Sequence, residues 1–245
     1  MNTEIKNAIQ AADSEAQYDE SAKRLLAQKY VLAHILVRTV EEFQGMEIEK
    51  VASLIEGDPY ISKVPVASGL TNKDRNVEGK RIVGLNTETG EKNEGLVRFD
   101  IIFYVRMRNG LAQMIINVEA QKDEPGSYQI LNRAIFYVSR LISSQKERDF
   151  VKSNYNDIKT VYSIWVCMNM PENSMCHICL TKEDLLGKHN WKGNLNLVNI
   201  VMIGLTNALP ESHNEYVLHR LLCAMFSNEL SQQQKMKIME QEYHI

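Results

Sequence analysis

The chain has 245 residues, of which 44% are hydrophobic and 24% charged, and these are ordinary values for a globular protein with a substantial core. Its net charge of −3 excludes a strongly basic surface, although a local basic patch remains compatible with it. Four cysteines are too few for a disulfide framework, and no apolar run reaches the roughly 20 residues that cross a bilayer. The composition therefore predicts a soluble, cytoplasmic protein.

The N-terminal part of the chain is predicted to be helical after a polar tail. Residues 1–20 are polar and acidic, and we expect a loosely held tail there. Apolar residues then recur at helical spacing over residues 21–43, and Gly45 supplies a stop signal. A second, shorter helix is predicted over residues 48–56.

Residues 58–95 have a different composition, rich in Gly, Asn, Thr, Lys and Glu. One apolar island at residues 81–85 predicts a single strand within this stretch. Polar connections of this length usually have a function or move, so we interpret the stretch as an excursion from the folded core.

The clearest local pattern in the sequence is a β-hairpin. Apolar residues alternate over residues 96–106, Asn109 and Gly110 form a typical type I′ turn, and residues 111–121 form the return strand. A two-residue turn at this place sets Asp100 opposite Glu119.

The same register sets Arg98 opposite Gln121, and strand alternation puts Gln121 on the same face as Glu119. Two opposed carboxylates repel each other, so Asp100 and Glu119 need a compensating charge. A divalent cation such as Mg²⁺ would supply it, because Mg²⁺ is usually held by one or two carboxylates and by water. The alternative is that both acids are solvated residues on an exposed face of the sheet.

A helix is predicted over residues 128–146, after Pro125 and Gly126. Its expected buried stripe consists of seven apolar residues at helical spacing: Ile130, Leu131, Ala134, Ile135, Val138, Leu141 and Ile142. Arg133, Tyr137 and Arg140 lie on the side opposite this stripe, where they could face the hairpin and bind phosphate. An ordinary polar helix face is the alternative.

The remaining elements complete an α/β pattern. Residues 160–168 predict an interior strand, and residues 175–180 and 195–205 predict two more. Helices are predicted over residues 213–227 and 231–243. Cys176 and Cys179 have the spacing of a zinc knuckle, but a zinc site needs two further ligands.

The hairpin sequence resembles a known family. Arg-Phe-Asp-Ile-Ile-Phe at residues 98–103, followed by Ile-Ile-Asn-Val-Glu-Ala-Gln at residues 115–121, resembles the PD-(D/E)XK nuclease superfamily, and more narrowly its Rpn-type, transposase-associated branch. The resemblance implies that Asp100, Glu119 and the Ala120 carbonyl coordinate Mg²⁺ or Mn²⁺.

Gln121 stands where the superfamily most often has Lys, and Gln is a variant at this place in the branch. The resemblance gives this residue the role of orienting the attacking water. Gln carries no positive charge, so another cation is needed, and Arg98 is one candidate. The superfamily often adds a Glu from the first helix; Glu42 is our choice for that role, and a solvated residue at a helix end is the alternative.

The resemblance further implies a restriction-endonuclease-like α/β core, with a mixed central sheet flanked by helices, over residues 21–170. Residues 171–245 are then expected to pack on that core as further strands and helices. The implied activity is Mg²⁺-dependent endonucleolytic hydrolysis of DNA, in association with transposition or recombination. The motif itself does not distinguish DNA from RNA. The alternatives are an inactive nucleic-acid-binding module on the same fold and a structural oligomer, and a homodimer is left open.

Overall fold

The computed structural model describes residues 15–61, 88–90, 96–98, 100–107, 113–123, 125–227 and 229–244. The predicted turn at Asn109 and Gly110 and the predicted strand at residues 81–85 lie outside these ranges. Over the described residues the chain is an α/β protein with a mixed sheet and helices on both faces, as the sequence predicts.

The structure contains six α-helices within the described ranges. They are α1 (Glu15–Leu26), α2 (Lys29–Thr39), α3 (Ile48–Leu54), α4 (Ile130–Ser143), α5 (Val217–Phe226) and α6 (Gln232–Tyr243). None of these helices has the length and apolar character that crossing a membrane requires.

The described strands form two sheets. They are β1 (Tyr60–Ile61), β2 (Glu88–Gly90), β3 (Leu96–Arg98), β4 (Ile101–Arg106), β5 (Gln113–Gln121), β6 (Val161–Cys167), β7 (Ser174–Cys179) and β8 (Val198–Gly204). The six-stranded sheet has the order β1-β4-β5-β6-β8-β7, in which β5, β6 and β8 are parallel and the other pairings antiparallel. β2 and β3 pair with each other in a separate sheet.

The register of the β4–β5 hairpin is the predicted one. Ile101 lies opposite Val118, and Arg106 lies opposite Gln113. Continued by one residue, this register brings Asp100 to Glu119, as the turn length indicates.

The predicted strand over residues 96–106 is interrupted, and this corrects the expected position of Arg98. Asp100 lies in a bend between β3 and β4, and Arg98 pairs with Glu88 of β2 rather than with Gln121. At this bend the Asp100 N–H donates to the side chain of Glu119 at 3.1 Å instead of to a backbone carbonyl of the ladder.

The predicted helix over residues 21–43 is also divided. α1 begins at Glu15, within the predicted tail, and the chain is extended at Gln28, with φ −65° and ψ 128°, before α2 begins. Both helices still bury their apolar residues, such as Leu26 and Leu32. The break therefore interrupts the helix without interrupting the hydrophobic pattern that predicted it.

Two hydrophobic layers enclose the sheet. On one face, Ile116, Val118 and Ile164 pack in a cluster that includes buried residues of α1, α2, α5 and α6. On the other face, α4 covers Trp165 and Ile102. Because residues alternate along a strand, Glu119 and Gln121 point to the face that α4 covers. The C-terminal segment thus belongs to the same sheet and core as the hairpin.

The buried side of α4 differs from the predicted stripe. Leu131 and Ile135 are 39% and 47% exposed, whereas Tyr137 and Arg140 are buried together with Ala134. The helix is turned so that Arg133 and Tyr137 lie over Trp165. Aromatic and cation–π contacts of this kind can bury a side of a helix that carries polar residues and that lies outside the apolar stripe.

His34 of α2 gives a pH-dependent contribution to stability. Burial, and next the charge of Arg38, lower the pKa of His34 to about 4, while Glu49 acts in the opposite direction. Unfolded His has a pKa of about 6.5, so between these values the unfolded chain binds more protons than the folded one. Stability is therefore expected to fall by about 2 kcal/mol as the pH drops from 6.5 to 4.

Urea unfolding of the wild type and of His34→Gln across this pH range tests the prediction. The variant should show a flatter profile, whereas His213→Gln, at an exposed position, should follow the wild type. Parallel profiles for all three proteins would contradict the assignment.

Candidate active site

Asp100 and Glu119 are joined by two reciprocal contacts at the junction of β4 and β5. The Asp100 N–H donates to Glu119 Oε1 at 3.1 Å, and the Ala120 N–H donates to Asp100 Oδ2 at 3.0 Å. Each carboxylate thus accepts a backbone N–H from the segment that carries the other. The pair predicted from the turn is present, and its side chains are fixed relative to each other.

The pair is largely shielded from water. Glu119 is 2% exposed, and the side chain of Asp100 is 17% exposed. Two carboxylates in such a place are costly unless positive charge or hydrogen-bond donors compensate them. The structure supplies a cation directly, because Lys23 Nζ of α1 lies 2.9 Å from Asp100 Oδ1.

Gln121 follows on the same face, and its amide is held at both ends. Its Oε1 accepts from Arg133 Nη1 at 3.3 Å, and its Nε2 donates to the Asp123 carbonyl at 2.7 Å. Asn169 Nδ2 in turn donates to Asp123 Oδ1 at 2.7 Å. These contacts fix the end of β5 and the direction of the Gln121 amide.

Arg133 lies among three aromatic rings. Its guanidinium is 4.9 Å from the centroid of Tyr137, 5.3 Å from that of Trp165 and 5.9 Å from that of Tyr128. It also donates to the hydroxyls of Tyr137 at 2.8 Å and Tyr128 at 2.9 Å. Contacts with rings, hydroxyls and Gln121 together fix its planar fork in one position.

The charges of the two carboxylates act on Arg133 and Tyr137 of α4. Burial works to lower the pKa of Arg133, but the Tyr137 hydroxyl and the charge of Glu119 outweigh it, and the pKa is raised. Burial, followed by the charge of Glu119, raises the pKa of Tyr137, and Asp100 adds to the effect. The Tyr137 hydroxyl therefore stays protonated at neutral pH.

Two of the residues predicted for the site lie elsewhere. Glu42 is in the 3-10 turn Glu41–Phe43, and its charge contributes to raising the pKa of Tyr162, mainly an effect of burial. Tyr162 packs on the sheet face opposite to Glu119 and pairs with Ile116, three residues before Glu119 along β5, so Glu42 is not assigned to the site. Arg140 is 6% exposed, so it is not on an open surface where a phosphate could bind.

Sequence reasoning missed Lys23 and Trp165. Lys23 stands in an amphipathic helix among ordinary surface charges, and only the packing of α1 brings it to Asp100. Trp165 is in the apolar run that predicted β6, but its register beside Glu119 depends on the parallel pairing of β5 with β6. The apolar run thus predicts that Trp165 is buried in a strand, whereas no pattern around Lys23 indicates that it lies near Asp100.

The oxygen atoms at this junction fit a hard divalent cation. In an extended strand the N–H and C=O of one residue point to the same side, so the Ala120 carbonyl faces the Asp100 side, as its N–H does. Within the described ranges, no group of three His, Cys, Asp or Glu side chains that could hold a metal occurs. Two carboxylates and a carbonyl are a set suited to Mg²⁺, which keeps water and substrate oxygens as its other ligands.

The paired cysteines do not form a comparable site. Cys176 and Cys179 lie three residues apart in the edge strand β7, so they point to opposite faces of the sheet. The strand position therefore favours the interpretation of both as ordinary exposed thiols.

Comparisons of this chain with protein-family models, with curated proteins and with solved structures found no match.

Proposed function

We propose that this chain is a Mg²⁺-dependent endonuclease that hydrolyses DNA phosphodiester bonds, with a restriction-endonuclease-like core of the PD-(D/E)XK type and a role in transposition or recombination. The interlocked pair of Asp100 and Glu119 carries the proposal. Holding two carboxylates together in a largely buried position has a cost, and a metal site explains why the chain keeps them.

In the proposed mechanism Asp100, Glu119 and the Ala120 carbonyl would hold Mg²⁺ or Mn²⁺. Such an ion would supply positive charge at the scissile phosphate and would lower the pKa of the attacking water. The burial of Glu119 strengthens this interaction, because charges attract more strongly where water is excluded.

Gln121 would position the attacking water without taking its proton. An amide oxygen has two acceptor positions and an amide nitrogen two hydrogens, so the contacts with Arg133 and Asp123 each leave one position for water. An amide is not a base at neutral pH, so the proton must pass to solvent or to the phosphate. Arg133 then acts on the reaction through Gln121, as a positioning residue.

A binding module without catalysis is the second candidate. Its support is the neutral amide at position 121 and the ion pair between Lys23 and Asp100. Such a protein would bind nucleic acid with an affinity that falls steeply with salt, and it would not cut.

Nicking of supercoiled plasmid distinguishes the two candidates. We expect the wild type to nick DNA with Mg²⁺ and to lose this activity with a chelator. Asp100→Asn should lower the rate by at least about 100-fold, because it replaces a charged metal ligand by a neutral amide and removes the ion pair with Lys23. Asp157→Asn, at an exposed carboxylate in the 3-10 turn before β6, is the matched control and should cut at the wild-type rate.

Two results would change the assignment. Salt-sensitive DNA binding without cleavage in the wild type would favour the binding module. Metal-dependent cleavage that persists when Asp100→Asn and Glu119→Gln are combined would show that the chemistry takes place at another site. RNA of the same sequence, assayed in parallel, identifies the preferred nucleic acid.

A further inference from the structure

We propose that Lys23 is an internal competitor for the metal: it holds Asp100 in the metal-free chain, and on displacement it becomes the mobile cation of the active site. This inference rests on the proposed function and assigns a residue to it. The positive charge that Gln121 does not carry would then come from helix α1 instead of strand β5.

Lys23 contacts the carboxylate oxygen of Asp100 that does not accept the Ala120 N–H. Asp100 Oδ2 accepts the Ala120 N–H, which is part of the backbone and cannot move away. Oδ1 is the oxygen that Lys23 Nζ contacts at 2.9 Å. A cation that binds Asp100 through Oδ1 comes close to this ammonium group, and the repulsion between the two positive charges makes them compete.

The packing of α1 keeps Lys23 at this place. Ala22, Leu25 and Leu26 are buried in the hydrophobic layer on the sheet face opposite to α4. The helix backbone is therefore anchored on both sides of Lys23. The lysine stem has four rotatable carbons, and its ammonium can leave Oδ1 without movement of the helix. Lys23 can therefore be displaced and still remain beside the site.

Arg133, a second cation near the site, does not have this freedom. Arg133 is held by the hydroxyls of Tyr128 and Tyr137 and by Gln121, and it stacks on the Trp165 ring. The guanidinium of Arg133 is therefore held in one position, whereas the ammonium group of Lys23 can move toward the charge that develops on a phosphate. A preorganised arginine and a mobile lysine thus have separate roles.

Competition predicts opposite effects on metal binding and on cleavage. Lys23→Met removes the competitor, so the affinity for Mn²⁺ should rise about fivefold, as expected for the loss of one partly buried ion pair. Cleavage at saturating metal should nevertheless fall at least about tenfold, because the phosphate loses its mobile cation. A merely structural role for Lys23 would lower both quantities together.

Calorimetric titration of the full chain with Mn²⁺ measures the affinity, and plasmid nicking at saturating Mn²⁺ measures the rate. Lys23→Arg should keep the metal affinity of the wild type, since it preserves the ion pair. Lys50→Met removes one charge from an exposed position on α3 and should leave both quantities unchanged. Thermal unfolding identifies any variant that fails to fold, and in that case Lys23→Gln replaces Lys23→Met.

The results separate this inference from the proposed function. Weaker or unchanged Mn²⁺ affinity in folded Lys23→Met overturns the competitor role, even if Asp100→Asn still abolishes cleavage. Wild-type cleavage speed in Lys23→Met overturns the mobile-cation role. If the wild type neither binds Mn²⁺ nor cleaves, the proposed function itself is wrong, and the inference that rests on it is wrong too.

Discussion

Replacing Glu119 by Gln is expected to abolish Mg²⁺-dependent cleavage while leaving the metal-free protein at least as stable as the wild type. The amide keeps an oxygen that can accept the Asp100 N–H, so the geometry of the hairpin is preserved. The change removes a negative charge that is 2% exposed and lies close to a second carboxylate. Removing this buried charge should raise the free energy of unfolding by about 1 kcal/mol.

The loss of cleavage in this variant should exceed about 1000-fold. Glu119 supplies half of the carboxylate charge that would hold the ion, and Asp100 alone keeps Lys23 as its partner. A variant that is more stable and inactive is the pattern expected where a costly arrangement is kept for function.

Thermal unfolding with and without Mg²⁺ measures both effects. A ligand that binds only the folded state raises the melting temperature, so the wild type should gain stability with Mg²⁺ and Glu119→Gln should not. Glu240→Gln, an exposed position on α6, is the matched control and should respond to Mg²⁺ as the wild type does. A Glu119→Gln protein that is markedly less stable and still gains stability with Mg²⁺ would contradict a metal role for this residue.

The hairpin shows what the sequence was able to predict. A two-residue turn fixes the register of its strands, and the observed pairing of Ile101 with Val118 follows from it. Strand alternation then assigned Glu119 and Gln121 to one face. Both inferences need only local geometry, which is why they hold.

The bend at Asp100 shows where local geometry was insufficient. Alternation continued through residues 96–106, yet the chain leaves the ladder because the Asp100 N–H bonds to a side chain of the neighbouring strand. Such a bond depends on where a distant side chain lies, and no periodicity encodes it. The expected pairing of Arg98 with Gln121 was lost for this reason.

Helix α4 illustrates a second limit. Counting apolar residues put Arg133 and Tyr137 opposite the expected buried stripe, facing either the hairpin or solvent, because the count treats Arg and Tyr as polar. In the structure the flat surface of Trp165 receives both side chains, and the buried face is rotated toward them. The position of Lys23 could not be predicted for a related reason: it depends on the packing of α1 against the hairpin.

The substitution Arg133→Met is expected to reduce both stability and cleavage, and it distinguishes positioning from phosphate binding. The variant loses cation–π contacts with three rings and leaves the hydroxyls of Tyr128 and Tyr137 without this donor. Together these losses should lower the free energy of unfolding by about 2 kcal/mol. Urea unfolding of the metal-free protein measures this change.

Cleavage by Arg133→Met should fall about 100-fold through its effect on Gln121. Without the bond from Nη1, the amide of Gln121 can rotate, and a displacement of about 1 Å at a reacting group costs this much. A positioning role lowers kcat and leaves the KM for DNA and its salt dependence nearly unchanged. Arg133→Lys keeps the charge without the planar fork, so it should recover only part of the rate.

Phosphate binding by Arg133 would give a different result. DNA affinity would then weaken uniformly in Arg133→Met, and the slope of its logarithm against the logarithm of salt concentration would fall by about 1. Arg133→Lys would restore much of that affinity, because a phosphate accepts either cation. An unchanged salt slope together with a lowered kcat would therefore establish that Arg133, confined by its three rings, acts on the reaction through Gln121.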